Sequence, residues 1–300
     1  MINIDQISCY LGSIIESNED IESLVGWSSA DVFKKTGIKT RYISTEDETA
    51  ELLALKAIRQ IDKEKIVDCD LIVSVSNTQS NDFPTIAHYV HSELGLDRRV
   101  KCIGINAGCT GFVDAIEIVY SLFCSGFYSK AAIVNADTYS KFLNNERSTR
   151  TLFSDGALVT IVTKDSSGFQ IKNKISSSAV GTYKNLIKTE FEGKRVIKMN
   201  GPKVLQFAMN TVKRDLLDLI DTKQDYVLFP HQAGKLVLDT LERKLPKNIK
   251  IFKNYSDYGN LVSASIPNLI RENLDELNHK SIIISGFGVG LSHNALLLEK

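Results

Sequence analysis

Cys109 stands where one pattern of apolar residues gives way to another. A short run, Cys102 to Ile105, turns through Asn106-Ala107-Gly108, and from Gly111 onward Phe112, Ala115, Ile116, Val119, Tyr120 and Phe123 recur at helical spacing. A cysteine at a strand-to-helix turn meets unpaired backbone N–H groups and the positive end of the helix dipole, both of which favour thiolate over thiol. The chemistry this suggests is nucleophilic attack, with Ala107, Gly108, Thr110 and Gly111 leaving room for a substrate. A buried structural cysteine fits the same residues equally well, because free cysteine is among the most buried residue types.

A cysteine nucleophile needs a group to manage its proton and donors to hold an oxyanion. Of the five histidines, His88 and His91 fall in a helical pattern, His279 in a charged turn, and His293 after a glycine loop near the C-terminus. His231 differs, because it directly follows an apolar strand in FPHQAG, at the end of the strand where open parallel sheets keep their ligands. Asn260, in YSDYGNLVSASIP, sits among small residues before a helix start. There it serves either turn chemistry or an amide donating to a substrate oxygen. The run Gly286-Phe287-Gly288-Val289-Gly290 can expose backbone N–H groups, although one glycine-rich turn is weak as a signature.

These residues need a frame to bring them together. Helical patterns are expected over residues 18–42 (helix, turn, short helix), 50–61 and from Phe83-Pro84 to about Leu94, with strands at Leu71 to Asn77, Ala131 to Asp137 and around Leu158 to Val162. The second half replays that order. Helices are expected at Val204 to Ile220, Gly234 to Leu245 and Ala264 to Leu277, and strands at Tyr226 to Pro230, Ile251 to Lys253 and over SIIISGFGVGLS. Strands alternating with helices of this length predict parallel sheet in both halves. The division expected is residues 1–165 with the cysteine and 166–300 with the histidine and asparagine, joined near residues 165–200.

Composition bounds the partners. The 300 residues hold 36 Lys and Arg against 36 Asp and Glu, so charge points to no nucleic-acid or membrane partner. Five cysteines with no paired spacing argue for a reducing compartment. There is no basic leader and no apolar run of the roughly 18 residues a membrane span needs. A cytoplasmic enzyme with no metal site is the expectation.

The motifs NAGCTGF, LFSDGA, FPHQAG, YGNLVSASIP and GFGVGL, in this order, together with NEDIESLVGWSSADVFKKTGI and MNGPKVLQFA, resemble the β-ketoacyl-acyl-carrier-protein synthase III group of the thiolase superfamily over nearly the whole chain. The resemblance implies an α/β thiolase-like fold, two duplicated halves packed as five layers (αβαβα), in a homodimer whose Phe83-Pro84 segment reaches toward the partner's pocket. It implies that Cys109 takes an acyl group from a coenzyme A or acyl-carrier-protein thioester. His231 and Asn260 would then hold a malonyl thioester while carbon dioxide departs, and the resulting carbanion would attack the acyl-cysteine. Backbone N–H groups of Cys109 and Val289 would form the oxyanion hole, and no further cofactor is implied. Arg147 keeps the position of a family arginine that contacts coenzyme A, and side chains around Phe83, Leu143 and Phe207 would set pocket size.

The chain also departs from the pattern. Where housekeeping members carry a tryptophan and an arginine that sandwich the adenine of coenzyme A, this chain has Asp31 and Lys35, with its single Trp27 four residues out of register. Pro202 replaces an asparagine, Gly234 stands at the end of HQAG, and Leu236 replaces a basic residue next to Lys235. These changes point to a donor on a carrier protein, or to a specialised fatty-acid, polyketide or secondary-metabolite pathway. Lys34, Lys35, Lys39 and Arg41 read either as a basic rim that would steer an acidic carrier or as a solvated helix end. Three rival readings remain open: a non-decarboxylating acyltransferase using an amine or alcohol, a non-catalytic synthase partner, and a papain-like protease. The last lacks its family's cysteine-rich surroundings.

Overall fold

The computed structural model describes residues 1–221 and 223–300. Ten strands make two five-stranded sheets. The first holds β1 (Ile2–Leu11), β2 (Leu71–Val75), β3 (Lys101–Ile105), β4 (Lys130–Asp137) and β5 (Gly156–Lys164), in the spatial order β1-β5-β4-β2-β3. The second holds β6 (Gln170–Ser178), β7 (Tyr226–Pro230), β8 (Ile249–Ile251), β9 (Ser281–Gly288) and β10 (Ser292–Glu299), in the order β6-β10-β9-β7-β8. The two orders are the same path walked twice. Each sheet has two parallel pairings, in keeping with the expectation of parallel sheet in both halves, and two antiparallel ones, made by β5 with its neighbours in the first sheet and by β10 with its neighbours in the second, which that expectation did not include.

The helices are α1 (Ser29–Thr36), α2 (Ala50–Ile58), α3 (Ile86–Leu94), α4 (Gly111–Cys124), α5 (residues 201–219, with a widened turn at Ala208–Val212), α6 (Lys235–Lys244) and α7 (Ser265–Arg271). Strand residues alternate between faces with period two. Leu71, Val73 and Val75 of β2 therefore face the same layer as Val227 and Phe229 of β7, while Ile72 and Leu228 face outward. Between the sheets lie α4 and α7, each apolar on the faces that touch the two sheets, while Asp114, Glu117 and Ser121 of α4 lie along its remaining side. Outside the first sheet α2 and α3 cover Ile72, Val134 and Val159, and outside the second α5 and α6 cover Leu228, Ile283 and Leu297. The result is five layers, helix–sheet–helix–sheet–helix.

Several element bounds differ from expectation. Helix α3 begins at Ile86 behind Thr85, so Pro84 precedes the helix rather than opening it. Strand β8 lies two residues earlier than expected, and the helix expected to end at Leu277 stops at Arg271 before a separate turn at Leu274–Asn278. The C-terminal run is two antiparallel strands joined at Val289–Leu291.

Candidate functional site

The turn that carries Cys109 is made by β3 ending at Ile105 and α4 beginning at Gly111, with one tight turn, Gly108–Thr110, between them. Against it lies the end of β9. A side-chain carbon on Gly286 would sit 2.7 Å from the Cys109 carbonyl oxygen, and one on Gly288 would sit 2.9 Å from the Cys109 sulfur. Only glycine permits so close an approach of two backbones. Cys109 is 3% exposed. Burial pushes its thiol up to about 12, the Asp137 carboxyl adds to this, and backbone groups of Val289 and of Cys109 itself pull the other way. The expected thiolate is therefore corrected: desolvation between two sheets outweighs the helix start, and the resting group is a thiol.

His231 leaves the end of β7 in a turn held at both ends. Its N–H donates to the Ser285 carbonyl at 2.8 Å, and its own carbonyl accepts from Ala233 at 3.0 Å. Gln232, not singled out in the sequence, fixes this turn from inside the protein. Its Oε1 accepts the N–H groups of Asn254 (2.9 Å) and Tyr255 (3.2 Å), and its amide donates to the Pro230 carbonyl. The imidazole lies edge-on to Phe287, with ring centroids 5.6 Å apart. Burial pushes it down to about 4, the Val262 backbone opposing, so the ring is neutral near pH 7 and its buried Nδ1 has no hydrogen-bond partner among the described residues.

Asn260 is pinned by its backbone between Leu152 and Ser154: its N–H donates to the Leu152 carbonyl (2.8 Å) and its carbonyl accepts the Ser154 N–H (2.9 Å). The side-chain oxygen accepts the Val262 N–H at 2.9 Å, so the amide NH2 is the end left to act as a donor. Val262 holds this arrangement with φ at +54°, a rare conformation for a β-branched residue that costs on the order of 1–3 kcal/mol. Nothing in the letters LVS signals it.

Cys109, His231 and Asn260 line one cavity of about 500 Å³, with Phe287 and Gly288 at its inner end and Trp27, Lys35, Arg147 and Leu236 toward its mouth. Trp27 thus reaches the mouth despite its shifted position. Lys35 lies over its ring at 4.8 Å and Arg147 at 5.0 Å, and Arg147 also donates to the carbonyls of Val25 (2.6 Å) and Gly26 (3.2 Å). Asp31 lies in the first turn of α1, capped by Ser28, and does not line the cavity. Four expected residues, Phe207, Phe83, Arg41 and Lys39, do not line this cavity. Phe207 is in the core under α5, with Pro202, Val204 and Leu205 on the cavity wall instead. Phe83 is 84% exposed and lines neither this cavity nor the one beside it. Arg41 is fully buried, donating to Glu16, Asn18 and the Ser17 carbonyl, and Lys39, paired with Asp257 on the surface, does not line this cavity or the depression at its mouth.

A second cavity of about 590 Å³ lies beside the first, beyond Leu186, which lines both. Tyr139 forms part of the partition: it lines the second cavity, packs on Phe153 of the first with ring centroids 4.9 Å apart, and donates its hydroxyl to Asn77. Val289, expected in the oxyanion hole, lines this second cavity. No group of potential metal ligands occurs among the described residues.

Residues 103–183 match the sequence profile of 3-oxoacyl-[acyl-carrier-protein] synthase III, and residues 220–300 match that of its C-terminal part. A β-ketoacyl-[acyl-carrier-protein] synthase III from Streptococcus agalactiae is 31% identical, over 99% of this chain and 98% of the relative. One from Clostridium perfringens is 30% identical over 97% and 96%. The crystal structure of 3-oxoacyl-[acyl-carrier-protein] synthase III from Aquifex aeolicus superposes with a TM-score of 0.89 at 28% identity, covering both chains fully. The priming β-ketosynthase of the R1128 polyketide pathway shares the fold (TM-score 0.87, 22% identity, 99% and 96% coverage).

Proposed function

The chain belongs to the 3-oxoacyl-[acyl-carrier-protein] synthase III family, a condensing-enzyme family of the thiolase fold, and from that premise we propose the roles its residues take in a decarboxylative condensation. In the first half-reaction the Cys109 sulfur attacks the carbonyl of an acyl thioester. The donor's carbon–sulfur bond breaks, a new thioester forms on Cys109, and the thiol proton leaves with the departing thiol. The carbonyl oxygen, briefly anionic, is held by the backbone N–H groups of Cys109 and Val289. The influence of both backbones on the buried thiol supports that placement. Removing one such donor typically costs roughly a hundredfold or more in rate.

In the second half-reaction a malonyl thioester enters by the same cavity. Neutral His231 and the NH2 of Asn260 donate to its thioester oxygen. The bond to the carboxylate breaks, carbon dioxide leaves, and its electron pair passes into the enolate those donors stabilise. The enolate carbon attacks the acyl-Cys109 carbonyl, a carbon–carbon bond forms, and the cysteine leaves as thiolate and recovers a proton. One observation carries this assignment: Asn260, its oxygen tied to Val262, presents a donor into the cavity of Cys109. Transfer to an amine or alcohol would need no such donor to a second thioester.

The donor arrives on an acidic carrier protein rather than as coenzyme A. Arg147 is committed to backbone carbonyls and to the Trp27 ring, which supports this reading, as do Lys34 and Lys35 in the depression next to the mouth, where Lys235 is paired with Asp239 and Arg243 lies beside Glu242. A homodimer is supported by β3, the outer strand of the first sheet, and by exposed Phe83 close in sequence to it. No helix among the described residues is long and apolar enough to cross a membrane, which accords with a cytoplasmic enzyme. The test is to replace Asn260 by Ala. Acylation of Cys109, followed by intact mass, should stay within about threefold of wild type, while carbon dioxide release from the malonyl thioester falls by roughly a hundredfold. An equal fall in both would refute the division of roles.

A further inference from the structure

Behind His231 lies a chain of three buried polar side chains that touches no substrate in the reaction above. His293 of β10 sits opposite Phe287 of β9. Its Nδ1 is 2.9 Å from the Asp215 carboxylate and its Nε2 3.0 Å from the Ser285 hydroxyl. None of the three is more than 1% exposed. A carboxylate only accepts, so Nδ1 carries a hydrogen, and Nε2 shares a hydrogen bond with the Ser285 hydroxyl. Burial alone would raise Asp215. Hydrogen bonds from His293 and Ser177, with the nearby Arg214, outweigh it and hold the carboxyl below its usual range. The residue types are those of a hydrolytic triad, but a serine with no exposed surface cannot meet a substrate.

What the chain can do is hold Ser285, and Ser285 is where the two reacting elements meet. Its carbonyl takes the His231 N–H at 2.8 Å. The next residue, Gly286, abuts the backbone of Cys109 and Thr110, Phe287 contacts the His231 ring, and Gly288 faces the Cys109 sulfur. Asp215 lies on α5, in the outer helical layer, so the chain ties this stretch of β9 to a second layer from behind.

We infer that Asp215, His293 and Ser285 form a positioning relay that sets His231 against Cys109 for carbon–carbon bond formation. The inference rests on the condensation reading, so one arm of its test is independent of chemistry. In His293→Ala, condensation kcat should fall roughly tenfold or more, since displacements near 1 Å carry costs of up to a hundredfold, while KM for the malonyl thioester stays within about twofold. His293→Gln supplies an amide donor and acceptor in place of the two ring nitrogens and should restore most of the rate. Ser285→Ala, which removes only a hydroxyl, should lose several-fold. In the independent arm, NMR titration of the His231 ring should move from about 4 upward in His293→Ala and return in His293→Gln. If wild type loads an acyl group without releasing carbon dioxide, the condensation reading fails while the titration still decides the relay. Unchanged His231 titration in both His293→Ala and Ser285→Ala would overturn it, as would a rate loss in His293→Ala that His293→Gln restores in melting temperature but not in kcat.

Discussion

At the residue scale, Cys109 is a thiol kept from ionising by its surroundings, and Asp137 is the part of those surroundings most open to test. Asp137 is itself raised to about 7 by burial, against hydrogen bonds from Asn77, Thr78 and Ser76. Asp137→Asn removes the negative charge that opposes the Cys109 thiolate, so alkylation of Cys109 by iodoacetamide at a fixed pH of 8 should accelerate several-fold. A slower or unchanged rate would show that Asp137 does not act on the sulfur. Tyr139 decides the room beyond it: Tyr139→Ala opens the partition between the two cavities and should extend the acyl groups loaded on Cys109 to longer chains, read by intact mass over a series of donors. Cys109 and His231 are legible in the letters because each comes just after an apolar strand run, and Asn260 because it sits among small residues before a helix start. Asp137, Tyr139 and His293 are not, since their influence depends on strands far apart in sequence being paired. Burial, which sets the sign of the Cys109 shift, is likewise absent from a local pattern.

At the element scale, the end of β9 does more than its glycine-rich letters suggest, since it must lie directly against the Cys109 turn. Gly288→Ala places a carbon 2.9 Å from the Cys109 sulfur. Overpacking of this kind costs typically 1–3 kcal/mol, so a folded but less stable protein with loading reduced at least tenfold is expected, measured by thermal melting and intact mass. Strands β2 and β4 and helix α4 were read nearly as they are, because long apolar runs and strict helical spacing are strong local signals. The β9–β10 hairpin replaces the single strand expected over SIIISGFGVGLS: the chain reverses at Val289–Leu291, where Gly290 takes φ +127° and Ser292 and Thr182 tie the turn. β8 drew its expected position from Phe252, whose ring packs on Phe229 just beyond the strand end.

At the scale of the whole molecule, the repeated strand order places the ends of β3, β7 and β9 around one cavity, with α4 and α7 as the shared middle layer. Phe112, fully buried there, contacts both sheets' core, and Phe112→Ala should cost about 3–5 kcal/mol in denaturant unfolding. The same burial ties stability to pH. His231 is held near 4 in the fold against about 6.5 unfolded, so the unfolded chain binds the proton more tightly. Its contribution is fully present above about 6.5 and is lost as pH falls toward 4. His231→Gln should flatten this part of the stability profile, measured by melting between pH 7 and 4. Electrostatic reach is local, the net charge being zero, and Lys34→Glu with Lys35→Glu should lower kcat/KM for a carrier-bound donor several-fold in low salt and much less in high salt. The duplicated order of elements was visible in the sequence. The antiparallel joins were not, because pairing direction is set by connections across the sheet and leaves no mark on a single strand.

The most direct measurement is intact-protein mass spectrometry after incubation with an acyl thioester, followed by a malonyl-carrier chase with carbon dioxide collected. An acyl increment on Cys109, cleared by the chase with one carbon dioxide per turnover, is the expected result. Clearance by an amine or alcohol alone, or no increment with any donor, would contradict condensation at Cys109.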